Sequence, residues 1–166
     1  MQKCLCSKML LILVLCFASV TTLLGQKKFS PSSYIEQHKS VAQQLMRETG
    51  VPASVILAIA IHESAYGNSR IATNLNNHFG IKGKNNSKTI RSAYKGYESV
   101  LASYHDFVDL LQRRKSTQGL FDKYSPLDYS AWVKGIARSG YSATRDWSRK
   151  VLGTIDRYDL DNLDVK

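Results

Sequence analysis

At 166 residues, with a net charge of +10, 43% hydrophobic residues and only three cysteines, the chain is long enough for one domain with a real core and too short for several. Cys4, Cys6 and Cys16 all fall within residues 1–25, where basic Lys3 and Lys8 precede an apolar stretch (9–19) in the pattern of a secretory signal peptide. Cleavage after Gly25 leaves a mature chain without disulfides or thiolate metal ligands.

The apolar stretch is too short and too poorly flanked for a convincing transmembrane helix, an uncleaved anchor being the alternative. Val14-Leu15 ahead of Cys16 provide no lipidation signal. Loss of the two leader lysines lowers the charge to +8, because no Asp or Glu precedes Glu36. A basic exported protein meets anionic wall polymers and lipid surfaces and rarely nucleic acid; charge that merely aids solubility is the plain alternative.

Residues 26–33, with two lysines, Pro31 and three serines, read as a flexible lead-in to one domain over residues 34–162. Tyr34, Ile35, Val41, Ala42, Leu45 and Met46 recur at helical spacing up to Gly50 and predict an amphipathic first helix. Pro52 suits a helix start. The following run, 53–65, is apolar at nearly every position, which predicts a helix buried on most sides and closed by Gly67.

A polar, Asn-rich stretch follows, with a short helical turn over 71–75. Residues 78–92 contain Gly80, Gly83 and Asn85-Asn86-Ser87 among Phe79, Ile81 and Ile90, and predict a small irregular hairpin. Val100, Leu101, Tyr104, Phe107, Val108 and Leu111 trace a further helix ending in Arg113-Arg114-Lys115, cations that favour a helix C-terminus. Ser125-Pro126 breaks the chain, residues 128–138 form a helix ended by Gly140, and 143–158 form the last. The fold class is mainly α, with the β element as a reduced excursion.

Glu63 closes the most apolar helix. With regular periodicity Ile56, Ile59, Ala60 and Glu63 share one face, so the carboxylate extends an apolar stripe. Desolvation there favours the protonated form that a general acid needs. The competing reading is a glutamate at a helix end, exposed or bonded to the following loop. His62 beside it does not signal zinc, because the residue one turn later is Tyr66 and not a second histidine. Ser64 lacks the G-x-S-x-G frame of a nucleophile.

Four ordered blocks carry a resemblance. Residues 60–69 read A-I-H-E-S-A-Y-G-N-S and residues 76–82 N-N-H-F-G-I-K. A third block runs from Tyr97-Glu98-Ser99 to Ser103-Tyr104-His105-Asp106, and a fourth is Gly140-Tyr141-Ser142-Ala143-Thr144. Together they resemble the endo-β-N-acetylglucosaminidases of glycoside hydrolase family 73, of the autolysin and flagellar-rod muramidase type.

The resemblance implies a lysozyme-like helical domain, with a short, reduced β-hairpin excursion, that hydrolyses the β-1,4 bond after N-acetylglucosamine in peptidoglycan. It implies Glu63 as catalytic general acid, Tyr141 as a cleft tyrosine supporting catalysis, and Asn77 and Phe79 as cleft-forming residues. Tyr66 stands where the family has Trp, keeping an aromatic face for a sugar, and Ala65 stands in place of Gly. Tyr66 and Tyr97 join the expected substrate-binding set. Among the other aromatics, Tyr104 and Trp147 lie on helical apolar stripes and belong to the core.

The departure is in the excursion, where many members place a second acid: residues 82–95 contain no Asp or Glu. Glycoside hydrolysis generally uses two carboxylates. Glu98 is the nearest candidate, although a carboxylate at a helix N-terminus is favoured by the helix dipole alone. Without it, the substrate's acetamido group can serve as nucleophile.

The expectation is an exported, monomeric peptidoglycan hydrolase of the periplasm or cell exterior. No metal, organic cofactor, nucleic-acid partner or stable membrane insertion after cleavage is expected. The alternatives are a lytic transglycosylase, whose G-L-M-Q-type block is here Phe79-Gly80-Ile81-Lys82, and a non-catalytic glycan-binding module on the same fold. Lys82, Lys84, Lys88 and Arg91 are candidates for steering an anionic polymer.

Overall fold

The computed structural model describes residues 28–164; the expected leader and residues 26–27 lie outside the described residues, and the rest of the expected flexible lead-in instead forms the cap and first turn of the first helix, because Ser30 and Ser33 satisfy its free amides. Helix α1 (Pro31–Thr49) starts with a reciprocal cap, in which Ser33 N donates to Ser30 Oγ (3.1 Å) and Ser30 N to Ser33 Oγ (2.9 Å). It ends at Gly50, whose N–H reaches Met46 O (2.8 Å) from a left-handed conformation.

Helix α2 (Ala53–Ser64) is buried at every position from Ala53 to Ile61. It packs against α1, α6 (Tyr129–Arg138), α7 (Trp147–Arg157) and a terminal 3₁₀ turn, Leu160–Leu163. Such enclosure is what an all-round apolar helix requires. Two shorter segments, α3 (Arg70–Leu75) and α5 (Leu120–Lys123), flank α4 (Val100–Arg113), which packs on α1.

The mainly α expectation holds, with local corrections. The buried helix stops at Ser64, not at residue 65, because Ala65, Tyr66 and Gly67 adopt successive left-handed conformations (φ 50, 57 and 74°). A side chain at Gly67 would meet Tyr34 Cε2 at 3.0 Å. Helix α7 begins at Trp147 and not at residue 143, the segment before it being spent in turns. The short α5 is an addition to the expected elements; Phe121 within it and Tyr124 at its C-cap pack on the buried Trp132 ring.

The β excursion contracts to one antiparallel bridge, Lys82 to Tyr94. Asparagine side chains replace much of the missing ladder. Asn77 Nδ2 donates to Ile81 O and Lys95 O (both 2.8 Å), and Asn85 Nδ2 to Ser92 O (2.9 Å) and Tyr94 O (2.7 Å). Phe79, Ile81 and Ile90 are buried beneath it.

Two buried polar features hold the helices together. Pro52 offers α2 no side-chain cap, and Asp164 supplies one from the far end of the chain, accepting from Ser54 N (2.8 Å) and Ser54 Oγ (2.5 Å). Against α1, His38 stacks with Tyr104 and His78 with Tyr34, and Tyr34 Oη bonds His78 Nδ1 at 2.6 Å. His38 Nε2 is buried without a partner.

Asp164→Ala should lower the unfolding free energy by about 1–3 kcal/mol, measured by urea titration, because it strands a buried amide and hydroxyl. The histidines predict acid lability. Burial pushes both down from 6.5 to about 4, His78 also through its neighbour His38. Their neutral forms therefore stabilise the fold above pH 6.5, and this contribution drains away as pH falls towards 4, amounting to on the order of 3 kcal/mol per histidine. His38→Phe, which removes an unpartnered nitrogen, should flatten the loss between those pH values in the same titration; an unchanged slope would contradict the assignment.

Candidate active site

Glu63 sits in the last turn of α2, half-buried. The turn beneath it is fixed by Ser64, whose hydroxyl donates to Ala60 O (2.6 Å) and accepts from Gly67 N (2.7 Å). Ser64 is fully buried, so its role is to shape the turn. Trp147, the first residue of α7, donates its indole Nε1–H to Glu63 Oε1 at 2.8 Å. The other oxygen faces the backbone of Gly80, where a Cβ would stand 3.5 Å from Oε2. Gly80 adopts φ 64°, so glycine is favoured there for its backbone as well.

The carboxylate opens into a groove of about 390 Å³ lined by Phe79, Gly80, Lys82, Arg114 and Tyr141 among others, and among the described residues Glu63 is the only acid lining it. Tyr141 packs on Trp147 (5.4 Å between rings) and donates its hydroxyl to Phe79 O (2.9 Å). Burial first, and then the charge of Glu63, push this hydroxyl well above the usual tyrosine range. It therefore stays protonated at neutral pH and acts as a donor rather than a base.

The structure brings Glu63, Phe79 and Tyr141 into one groove and leaves the other expected site residues outside its lining. Phe79 is itself almost wholly buried, stacked on Phe107 at 4.3 Å, so that its backbone more than its ring borders the groove. Asn77 is 1% exposed; its Nδ2 makes the two bonds already described and its Oδ1 accepts from Phe79 N and Ile81 N (3.3 and 3.2 Å). Its side chain thus acts as an internal bracket. Tyr66 bonds Tyr158 Oη (2.9 Å) and lines a second groove, with His62, Arg149 and Arg157.

Tyr97 and Glu98 border a third groove together with Lys84 and Lys88, which shares no lining residue with that of Glu63. Glu98 is exposed, just before the Ser99 cap of α4. Tyr97 donates to Asp106 Oδ2 (2.7 Å), and burial followed by that carboxylate raises its hydroxyl pKa. Asp106, the acid of the third sequence block, also accepts from Lys95 (2.8 Å) and Arg113 (2.9 Å). Burial alone would raise its pKa, but bonds from Lys95, Tyr97 and Arg113 outweigh it and lower the value.

Trp147 is the site residue that sequence reasoning assigned to the core alone. It is 2% exposed, and helical periodicity identifies its buried ring but not the direction of one N–H. Among the described residues no group of three or more His, Cys, Asp or Glu side chains is placed to hold a metal, and no helix is long and apolar enough to cross a membrane.

The chain is similar to known proteins over most of its length. Exo-glucosaminidase LytG of Bacillus subtilis is 31% identical over 150 residues, which span 79% of this chain and 52% of that protein. An autolysin of Enterococcus faecalis is 26% identical over 82% of this chain and 21% of its own length. The chain thus spans about half, or less, of these relatives.

Among solved structures, the catalytic domain of the autolysin Auto from Listeria monocytogenes superposes with a TM-score of 0.64 at 21% identity, covering 84% of this chain and 92% of that one. The glycoside hydrolase domain of FlgJ from Salmonella typhimurium gives 0.62 at 19%, covering 79% and 89%. These two likenesses establish the lysozyme-like helical fold. Residues 39–160 match the family model described as mannosyl-glycoprotein endo-beta-N-acetylglucosaminidase, and the chain belongs to this glucosaminidase family.

Proposed function

We propose that the protein is an exported peptidoglycan hydrolase that cleaves the β-1,4 bond after N-acetylglucosamine, with Glu63 as general acid. The observation that carries this reading is the placement of Glu63: a carboxyl group at the end of a buried helix, oriented by an indole N–H and opening into a groove with no second acid. The names of the relatives support the reaction class, since LytG is an exo-glucosaminidase and the Salmonella FlgJ domain a glycoside hydrolase.

The chemistry follows from the two carboxyl oxygens. Oε1 accepts from Trp147, which leaves Oε2, beside Gly80, as the oxygen that passes a proton to the glycosidic oxygen as the C1–O bond breaks. The leaving sugar departs as an alcohol. Positive charge at C1 is met by the acetamido oxygen of the same sugar, which forms a ring that water then opens, returning a proton to Glu63. The one-acid groove and the remoteness of Glu98 support this substrate-assisted course. Tyr141, bonded to Phe79 O, holds the Gly80 segment against the carboxyl group.

Glu63→Gln should lower the release of soluble sugar from purified sacculi by roughly a hundred- to ten-thousand-fold, while Glu98→Gln keeps most of it. A full loss in the second variant would restore a two-carboxylate mechanism. Mass spectrometry of the digest separates the chemistries: reducing N-acetylglucosamine ends support hydrolysis, anhydro-muramyl ends a transglycosylase, and sacculi bound but undigested a non-catalytic module.

Trp147→Phe retains an aromatic ring but removes the donor that orients Glu63. It should lower kcat about ten-fold with little change in KM, whereas a purely structural role would alter melting temperature and leave kcat of the folded fraction intact.

A further inference from the structure

The groove that holds Glu63 also contains two cations. Arg114 and Lys82 both line it, and neither forms an ion pair among the described residues. Their neighbours differ. Arg113 and Lys95 are both drawn to Asp106, at 2.9 and 2.8 Å, and that carboxylate is further occupied by Tyr97. Asp106 thus engages Lys95 and Arg113 and pairs with neither Lys82 nor Arg114.

The backbone of Arg114 is pinned. Its N–H donates to Leu110 O (3.1 Å), and its carbonyl accepts from Thr117 N and Gln118 N (3.0 and 2.9 Å). A long side chain on a fixed base, carrying a planar fork of donors, suits a carboxylate. Lys82 adds a second charge from the bridged segment after Gly80.

We propose that Arg114, assisted by Lys82, makes this groove select glycans that bear carboxylates over neutral β-1,4-linked N-acetylglucosamine chains. The inference rests on the glycosidase reading and specifies its substrate preference. In a wall glycan every second sugar carries a lactyl ether; its carboxylate is free when the peptide is absent, and with a peptide attached the carboxylates are those of the peptide. Chitooligosaccharides share the same glycosidic bond and carry neither.

The test uses the full-length Glu63→Gln protein, alone and combined with Arg114→Ala, Arg114→Lys or Lys82→Ala. Binding is measured to three soluble glycans of equal length: a chitooligosaccharide, a peptide-free wall strand and a peptide-bearing one. Arg114→Ala should reduce the preference for carboxylate-bearing strands over chitooligosaccharide by roughly ten-fold at low salt, and Lys82→Ala by roughly three-fold. Arg114→Lys should recover part of it, and added salt should narrow the gap.

The wall strand whose preference falls identifies the source of the carboxylate. An unchanged ratio in Arg114→Ala, or equal losses on the neutral glycan, would overturn the selectivity while leaving cleavage by the unsubstituted protein as it stands. Wall strands neither bound by these variants nor cut by the unsubstituted protein would overturn the glycosidase reading and this inference with it.

Discussion

The full burial of α2 is the constraint on which the site depends. A helix enclosed by α1, α6 and α7 has no outward face along most of its length, so a charged side chain is affordable only in its last turn. There the chain leaves through three left-handed residues, Ala65 to Gly67. Non-glycine residues seldom adopt that conformation, and they hold it here because Ser64 binds both sides of the turn. The outcome is a carboxyl group at a fixed height beside the groove.

Around that carboxyl group, polar groups in apolar surroundings each have a defined partner. Trp147 brings its N–H to Glu63, and Tyr141 brings its O–H to the backbone of Phe79. Asn77 binds the strand-like segments that carry Phe79, Ile81 and Lys95. An excursion with a single bridge lacks the ladder that would normally stiffen it. The amide side chains of buried Asn77 and half-buried Asn85 do that work, and unmade bonds at the buried one would cost more than formed ones contribute. Gly80 consequently stays close to Glu63 although hardly any β-sheet supports it.

Charge is distributed unevenly over the same region. The strongly basic composition says that cations exceed acids, but it does not say where the excess lies. Asp106 decides this locally by gathering Lys95, Tyr97 and Arg113 into one network. Cations elsewhere are divided among grooves: Lys84 and Lys88 stand beside Glu98, and Arg149 and Arg157 beside Tyr66. Only Lys82, of the four residues expected to steer a polymer, lines the groove of Glu63.

The sequence by itself determined the helical class, the central buried helix and the candidacy of Glu63, because these rest on local periodicity and on a motif contiguous in the chain. Tertiary structure decided which distant residues meet that carboxyl group. Trp147 lies 84 residues away, and the orientation of one indole N–H leaves no trace in a hydrophobic pattern. The same holds for Asn77, whose polar side chain suggests a ligand contact until its partners prove to be the chain's own backbone. Periodicity reports which face of a helix is buried; the direction of a hydrogen bond within that burial is fixed only when the elements pack.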